Sequence, residues 1–211
     1  MTGEDKLRGA VRAYVLAGGA SSRFGSDKAL ARLGGETVLS RMCTLIESVA
    51  GSVSVIAAAG RYPDFRAVTV PDRWPGEGPL GGIIGALRAT AEAIGGEWNL
   101  IVSCDMPFLT SEWLSYVVER ALASDAEVIV PRSEHGLEPL CACWRSSATA
   151  KLQDAFDEGV RKVTEAMKRL RMEVLDETHW KRFDTAGKLF WNMNAPQDYE
   201  EAVRIWRREH E

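Results

Sequence analysis

The sequence predicts an α/β protein, a three-layer α/β/α sandwich on a Rossmann-like, mostly parallel sheet with an antiparallel edge. Three observations carry that expectation. Strand-like apolar runs alternate along the chain with segments of helical periodicity. No internal repeat, low-complexity tract or Pro/Gly/Ser linker divides the 211 residues, so 1–211 reads as one domain with a polar tail over 1–12. Polar, glycine-bearing clusters fall at the ends of the strand-like runs, where open α/β sheets bind their ligands.

Taken in order, Val11–Leu16 is apolar except for Arg12 and reads as a strand ending at Ala17. Leu39, Met42, Leu45, Ile46 and Val49 recur at helical spacing and make Val38–Val49 a helix. Ser52–Ala59 and Ala67–Val70 follow as strands, the second running into Pro71-Asp72. Leu80–Ile94 reads as a helix opening in a glycine-rich turn, and Trp98–Cys104 as a central strand with Asp105 directly after it. Ser111 can N-cap a helix over Glu112–Ala123, with Glu112 favourable in its first turn. Glu127–Val130 is a strand stopped by Pro131, and Pro139–Trp144 is the expected antiparallel edge. Ser146 or Ser147 caps a helix to Glu158 that Gly159 stops. Arg161–Arg171 reads as a basic helix, and Met172–Leu175 and Lys188–Trp191 as short strands. Pro196 takes the first position of a terminal helix reaching about Arg208.

Composition narrows the function classes. Apolar residues make up 45% and charged residues 27%, an ordinary globular balance. A net charge of −4 gives no reason to expect nucleic acid, so an anionic substrate must be drawn by a local basic cluster. Met1–Arg12 has no apolar core of a secretion signal and no apolar run is long enough to span a bilayer; the expectation is a cytoplasmic protein with no membrane partner. Cys43, Cys104, Cys141 and Cys143 lack Cys-x-x-Cys spacing and read as buried, reduced thiols, with Cys141 and Cys143 sharing a strand face. His135, His179 and His210 are scattered without a G-x-S-x-G elbow, which removes support for a serine hydrolase.

The chemistry gathers at the presumptive strand ends. Gly18 and Gly19 open a loop holding Ser21, Ser22, Arg23, Gly25, Asp27 and Lys28. Glycines let backbone N–H groups turn towards a ligand, and Arg23 and Lys28 add mobile positive charge, a combination suited to a triphosphate. A P-loop would end in Gly-Lys-Ser/Thr and a dinucleotide loop would read G-x-G-x-x-G; neither is present. Asp72 can accept hydrogen bonds from a guanine or ribose edge, and Gly78-Pro79-Leu80-Gly81-Gly82 offers backbone donors; the lesser alternative is a capped turn with an acidic surface residue. Asp105, directly after a buried strand, suits a hard cation held against phosphate oxygens. Asn192 and Asn194 sit at alternate positions before the last helix, either as donors to a polar acceptor or with Asn194 as a cap. Arg161 and Lys162 read either as a phosphate contact or as a solvated helix face.

These residues resemble the nucleotidyltransferases of the glycosyltransferase-A-like fold, and within them the molybdenum cofactor guanylyltransferase family. The match runs through Leu16-Ala17-Gly18-Gly19, then Arg23-Phe24-Gly25-Ser26-Asp27-Lys28, with Phe24 where Met is usual. It continues through Gly-Pro-Leu-Gly-Gly at 78–82, Cys104-Asp105-Met106-Pro107, and Asn192-Met193-Asn194-Ala195-Pro196, where Ala195 replaces the usual Thr. Glu138 stands before Pro139 where the family often has His, and Ile56-Ala57-Ala58-Ala59 lacks an Asn some members carry. The resemblance implies a nucleotide-diphospho-sugar transferase-like fold and transfer of GMP from GTP to molybdopterin or its molybdenum-loaded form, with Mg²⁺ as cofactor. It implies nucleotide contacts from Leu16, Ala17, Gly18, Gly19, Lys28, Asp72, Gly78 and Asp105, with Arg23, Lys28 and Asp105 catalytic and Asp105 the metal ligand. Acceptor contacts fall on Asn192, Asn194, Arg161 and Lys162, and further partners would be acceptor molybdoenzymes or cofactor-assembly proteins. Alternatives are a cytidylyltransferase of the same cofactor, a sugar-phosphate nucleotidyltransferase, or a non-catalytic nucleotide-binding adaptor.

Overall fold

A computed structural model describes residues 7, 9–18, 27–93, 96–184 and 187–210, the side chains of 209 and 210 excepted. Gly19, Arg23 and the serines and glycine between and after them up to residue 26 lie outside the described residues. The strands are β1 (Arg12–Leu16), β2 (Arg32–Leu33), β3 (Glu36–Thr37), β4 (Ser54–Ala57), β5 (Val68–Pro71), β6 (Trp98–Ser103), β7 (Val128–Ser133), β8 (Gly136–Leu137), β9 (Cys141–Arg145) and β10 (Met172–Leu175). The helices are α1 (Val38–Ala50), α2 (Pro79–Glu92), α3 (Ser111–Leu122), α4 (Thr149–Asp157), α5 (Val163–Ala166), α6 (Glu177–Trp180) and α7 (Pro196–His210).

The main sheet runs β10-β7-β9-β6-β1-β4-β5, with β8 paired to β7, while β2 and β3 form a separate hairpin. β1 lies parallel to β4 and β6, β4 to β5, and β7 to β10. Because the sheet is covered on both faces, its central strands are buried on both sides; all six residues of β6 are buried. Alternate residues feed two cores. Ala13, Val15, Leu100 and Val102 pack with Leu39, Met42 and Ile46 of α1 and Trp113 and Val117 of α3. Tyr14, Leu16 and Ile101 pack with Ile83, Ile84 and Leu87 of α2 and Leu152 of α4. Each such fully buried aliphatic side chain contributes about 1.5–3 kcal/mol, so the three layers follow from the two-residue period of the strands and the helical period of the segments between them.

Several local expectations are corrected. The antiparallel strand β9 is not an edge: it is inserted between β6 and β7 and pairs antiparallel with both. β7 runs through Pro131 to Ser133, because the missing N–H falls beyond the last residue paired with β9. Lys188–Trp191 is a turn closed by Trp191 N to Lys188 O at 2.9 Å, not a strand. Its Phe190 is buried by ring contacts with Trp113 at 5.8 Å and Trp180 at 5.4 Å rather than by a ladder. Thr110, not Ser111, caps α3, its Oγ1 accepting from Trp113 N at 3.2 Å. α4 starts after a 3-10 turn at Ser146–Ala148, and Ser146 Oγ donates instead to Gly96 O at 3.0 Å. The basic stretch expected as one helix breaks into α5 and a 3-10 turn at Met167–Arg169, leaving Arg161 and Lys162 ahead of it. Leu7 and Val11 are buried and Gly9 N donates to Ala50 O at 2.9 Å, so the expected tail is packed against the domain at these residues. Among the described residues, no helix is long and apolar enough to cross a membrane.

Candidate active site

Backbone pairing at the carboxyl ends of the parallel strands builds the site. Leu16 and Ser103 are in register across β1 and β6, and Cys104 N donates to Leu16 O at 3.1 Å. Ala17 N reaches Ile56 O at 2.9 Å and Asp72 N reaches Ala57 O at 2.7 Å, carrying the ladder past the ends of β4 and β5. Asp72 and Asp105 therefore flank the start of the first loop from opposite sides. A Cβ on Gly18 would stand 3.6 Å from Asp72 Oδ2. From the antiparallel strand, Leu140 O accepts from Ser103 N at 2.8 Å and brings the Leu140 side chain to the far wall.

The result is a cleft of about 280 Å³. Leu16, Ile56, Pro79 and Leu140 give it apolar walls; Lys28, Asp72, Ser103 and Asp105 give it polar groups; Gly18, Gly76, Gly78 and Gly82 leave room for a ligand. Gly78 has φ of +91° with ψ of 176°, a conformation essentially reserved to glycine that costs another residue about 1–3 kcal/mol. At Gly82 a Cβ would meet Leu16 Cδ2 at 3.3 Å, so the glycine is what lets α2 lie against β1. Gly81 and Gly82, expected in a turn, belong to the first turn of α2, which Pro79 opens.

Lys28 and Asp105 meet in the lining of this cleft as an ion pair through Asp105 Oδ2, their side chains 21% and 12% exposed. Lys28 starts a 3-10 turn, Lys28–Leu30, capped by Asp27 Oδ1 accepting from Ala29 N at 3.1 Å. Asp105 Oδ1 is buried without a hydrogen-bond partner among the described residues, a costly state for a carboxylate oxygen unless a ligand takes it up. No group of three or more His, Cys, Asp or Glu converges as a metal cage among the described residues. Asp105 is thus suited to a cation that takes its other oxygens from substrate and water, the habit of Mg²⁺.

A second recess of about 910 Å³ opens beside it, lined by His135, Trp180, Lys181, Trp191, Asn192 and Asn194 among others. Asp105 O accepts from Met193 N at 2.9 Å and ties this segment to the end of β6. Asn192 Nδ2 donates to Phe190 O at 3.0 Å. Asp198 Oδ2 accepts from both Asn194 N and Ala195 N at 2.7 Å, and Asp198 N donates to Ala195 O at 3.0 Å, which ties the start of α7 to the segment before it. Glu138 is half-buried, with Ser133 Oγ donating to it at 2.6 Å. Burial raises its carboxyl above the usual range, Asp105 adds to this, and Ser133 and His135 oppose it.

Leu16, Gly18, Lys28, Asp72, Gly78 and Asp105 are thus brought together, with Ala17 just behind them and buried. Asn192 and Asn194 share the second recess. Arg161 does not join them. Its Nε donates to Glu77 Oε2 at 2.6 Å and its Nη1 to Phe156 O at 2.7 Å, at the outer rim of the first cleft beside Gly78; Lys162 follows it, exposed. Ile56, Ser103 and Leu140 line the cleft without having been singled out, since a wall residue carries no motif. Arg61 and Tyr62, which bind Asp27, were also missed, because nothing in the alanine-rich segment before them marks them. The four cysteines are free and buried. Burial pushes the thiols of Cys43, Cys104 and Cys141 up to about 12 and that of Cys143 higher still, which removes them as nucleophiles at neutral pH.

The family model of the MobA-like NTP transferase domain matches residues 13–172. The chain belongs to that family. A relative in Chloroflexus aggregans, named "Probable molybdenum cofactor guanylyltransferase", is 32% identical over 87% of this chain and 89% of its own length. The molybdenum cofactor guanylyltransferase of Desulfosudis oleivorans is 29% identical over 92% of this chain and 94% of its own. The crystal structure of molybdopterin-guanine dinucleotide biosynthesis protein A from Archaeoglobus fulgidus superposes with a TM-score of 0.81, at 24% identity, covering 94% of this chain and 100% of that one. That match shows the shared fold. By family, the chain is a nucleotidyltransferase, in agreement with the first-loop and Cys-Asp-Met-Pro motifs.

Proposed function

We propose that this protein transfers GMP from GTP to molybdopterin, free or carrying molybdenum, releasing pyrophosphate and forming the guanine dinucleotide of the cofactor. The single observation that carries it is the Lys28–Asp105 ion pair in the lining of a glycine-lined cleft, with a larger recess opening alongside. The names of the relatives support the choice of guanine and of the molybdenum cofactor.

No protein nucleophile is needed. An oxygen of the acceptor's terminal phosphate attacks the α-phosphorus of GTP, the bond to the β-phosphate oxygen breaks, and pyrophosphate leaves with the displaced electron pair. The protein's work is to hold both reactants in line and to balance charge as it moves to the leaving group. Lys28 leaves Asp105 to neutralise phosphate oxygens, and Arg23 joins it in this reading. Asp72 and the backbone around Gly18 and Gly78 hold the nucleoside, with Ile56 and Leu16 excluding water. Asn192 and Asn194 orient the acceptor in the second recess. Asp105, with its unpartnered Oδ1, would hold Mg²⁺, which when bound supplies positive charge to the phosphate oxygens. The same reading expects a cytoplasmic enzyme that hands its product to molybdoenzymes or cofactor-assembly proteins.

Turnover with GTP, Mg²⁺ and molybdenum-loaded molybdopterin, followed by pyrophosphate release, tests this directly. GTP should exceed CTP, ATP and UTP in kcat/KM. A preference for CTP would overturn the base assignment, and absence of pyrophosphate release with every nucleotide would overturn transfer itself.

A further inference from the structure

The first loop is fastened at its base by two residues outside every motif. Tyr62 is 6% exposed; its phenol O–H donates to Asp27 Oδ2 at 2.9 Å and faces Ala17 O at 3.3 Å. Arg61 Nε donates to the same Asp27 oxygen at 2.9 Å, and its guanidinium lies 5.7 Å from the Tyr62 ring centre. The remaining Asp27 oxygen accepts from Ala29 N at 3.1 Å and so caps the turn that Lys28 begins. Ala17 precedes the loop and Asp27 closes it, so one buried phenol touches both ends.

This arrangement decides what Asp27 does. An acidic residue next to a phosphate-facing lysine invites a reading as a second metal ligand. Both of its oxygens are already taken by N–H and O–H donors, one of them cationic. Burial and the adjacent Asp27 carboxylate raise the Tyr62 phenol above its usual range, so it is a donor at neutral pH. Hydrogen bonds to a charged acceptor are stronger than neutral ones, and three of them converge on one carboxylate that adjoins Lys28 along the chain.

We propose that Tyr62 and Arg61 are positioning residues which, by clamping Asp27, set the turn that aims Lys28 at Asp105 and at the phosphates. The part of this that concerns phosphates rests on the nucleotidyl-transfer reading above; the clamp itself does not. Two readouts separate them. In the ligand-free protein, labelling of the Lys28 amine by acetic anhydride, measured by peptide mass relative to Lys151, should rise several-fold in Tyr62→Phe and in Asp27→Asn. In turnover with GTP, Tyr62→Phe should lower kcat about tenfold, the weight of one charged hydrogen bond, with KM for the acceptor unchanged. A labelling ratio and kcat equal to wild type, with only a lower Tm, would make Tyr62 a packing residue and overturn the proposal. Wild-type protein inert towards GTP would remove the transfer reading while the labelling ratio still decided the clamp.

Discussion

The two recesses of this molecule are built in opposite ways. The smaller cleft is made by backbone: four strand ends in fixed register, a helix start and glycines that keep Cβ atoms out. The larger one is made by side chains on turns and short helices between β7, β10 and α7, with Trp180, Trp191 and Asn192 projecting from segments that carry no ladder. A site framed by parallel strands tolerates little change and leaves a dense motif. A site framed by loops, which tolerate substitution more readily than the elements they connect, can be re-cut by single changes. Nucleotide handling and acceptor choice are therefore expected to respond to mutation in separable ways.

The most damaging changes should be at the ion pair. Asp105→Ala or Lys28→Ala is expected to cost about two to three powers of ten in kcat, with far-UV circular dichroism unchanged; activity within tenfold of wild type would remove that residue from the chemistry. Next comes Gly82→Leu. Its Cβ would start 3.3 Å from Leu16 Cδ2 and its branches would extend into the cleft. GTP affinity, measured by calorimetry, should fall about 10- to 100-fold, and unaltered affinity would mean the nucleotide binds elsewhere. Asn192→Ala should raise KM for the acceptor about three- to tenfold, the worth of one or two neutral hydrogen bonds, and leave GTP affinity unaltered. If the change appears in GTP affinity instead, the two recesses are not divided between substrates as proposed.

The smallest effect concerns Glu138. Its carboxyl titrates higher in the folded protein than in the unfolded chain, chiefly through burial. The folded state thus binds its proton more tightly. Stability from this residue is present below the usual glutamate range and is lost as pH rises through the raised value. Glu138→Gln should accordingly increase Tm near neutral pH by no more than about 2 °C, and the gain should vanish near pH 4. A gain that persists at pH 4 would assign the effect to packing.

Much of this was legible in the chain itself. Helix α1 appears at its expected place because Leu39, Met42 and Ile46 leave a stripe that only one face of a helix can bury. Asp105 and Lys28 were identified through residues whose chemistry is local: a carboxylate after a buried strand and a lysine after a glycine loop. The place of β9 inside the sheet was not legible, although its antiparallel direction was expected, since an edge strand and an inserted one both bury Cys141, Ala142 and Cys143. Nor was the turn at Lys188–Trp191, whose apolar residues are buried by aromatic rings from α3 and α6. Arg161 shows the same limit from the other side: its charge was visible, its partner Glu77 was 84 positions away.

What the amino-acid order determined alone was periodicity and local chemistry: alternating layers, the glycine loop, the acid at the end of the central strand. These depend on neighbours within a few residues, so they are written in the string. Tertiary structure alone decided the insertion of β9 between β6 and β7, the pairing of Arg161 with Glu77, and the seating of Asp27 between Tyr62 and Arg61. Those depend on which distant groups meet once both cores are buried, and the energy that selects them belongs to the assembled layers rather than to any one segment.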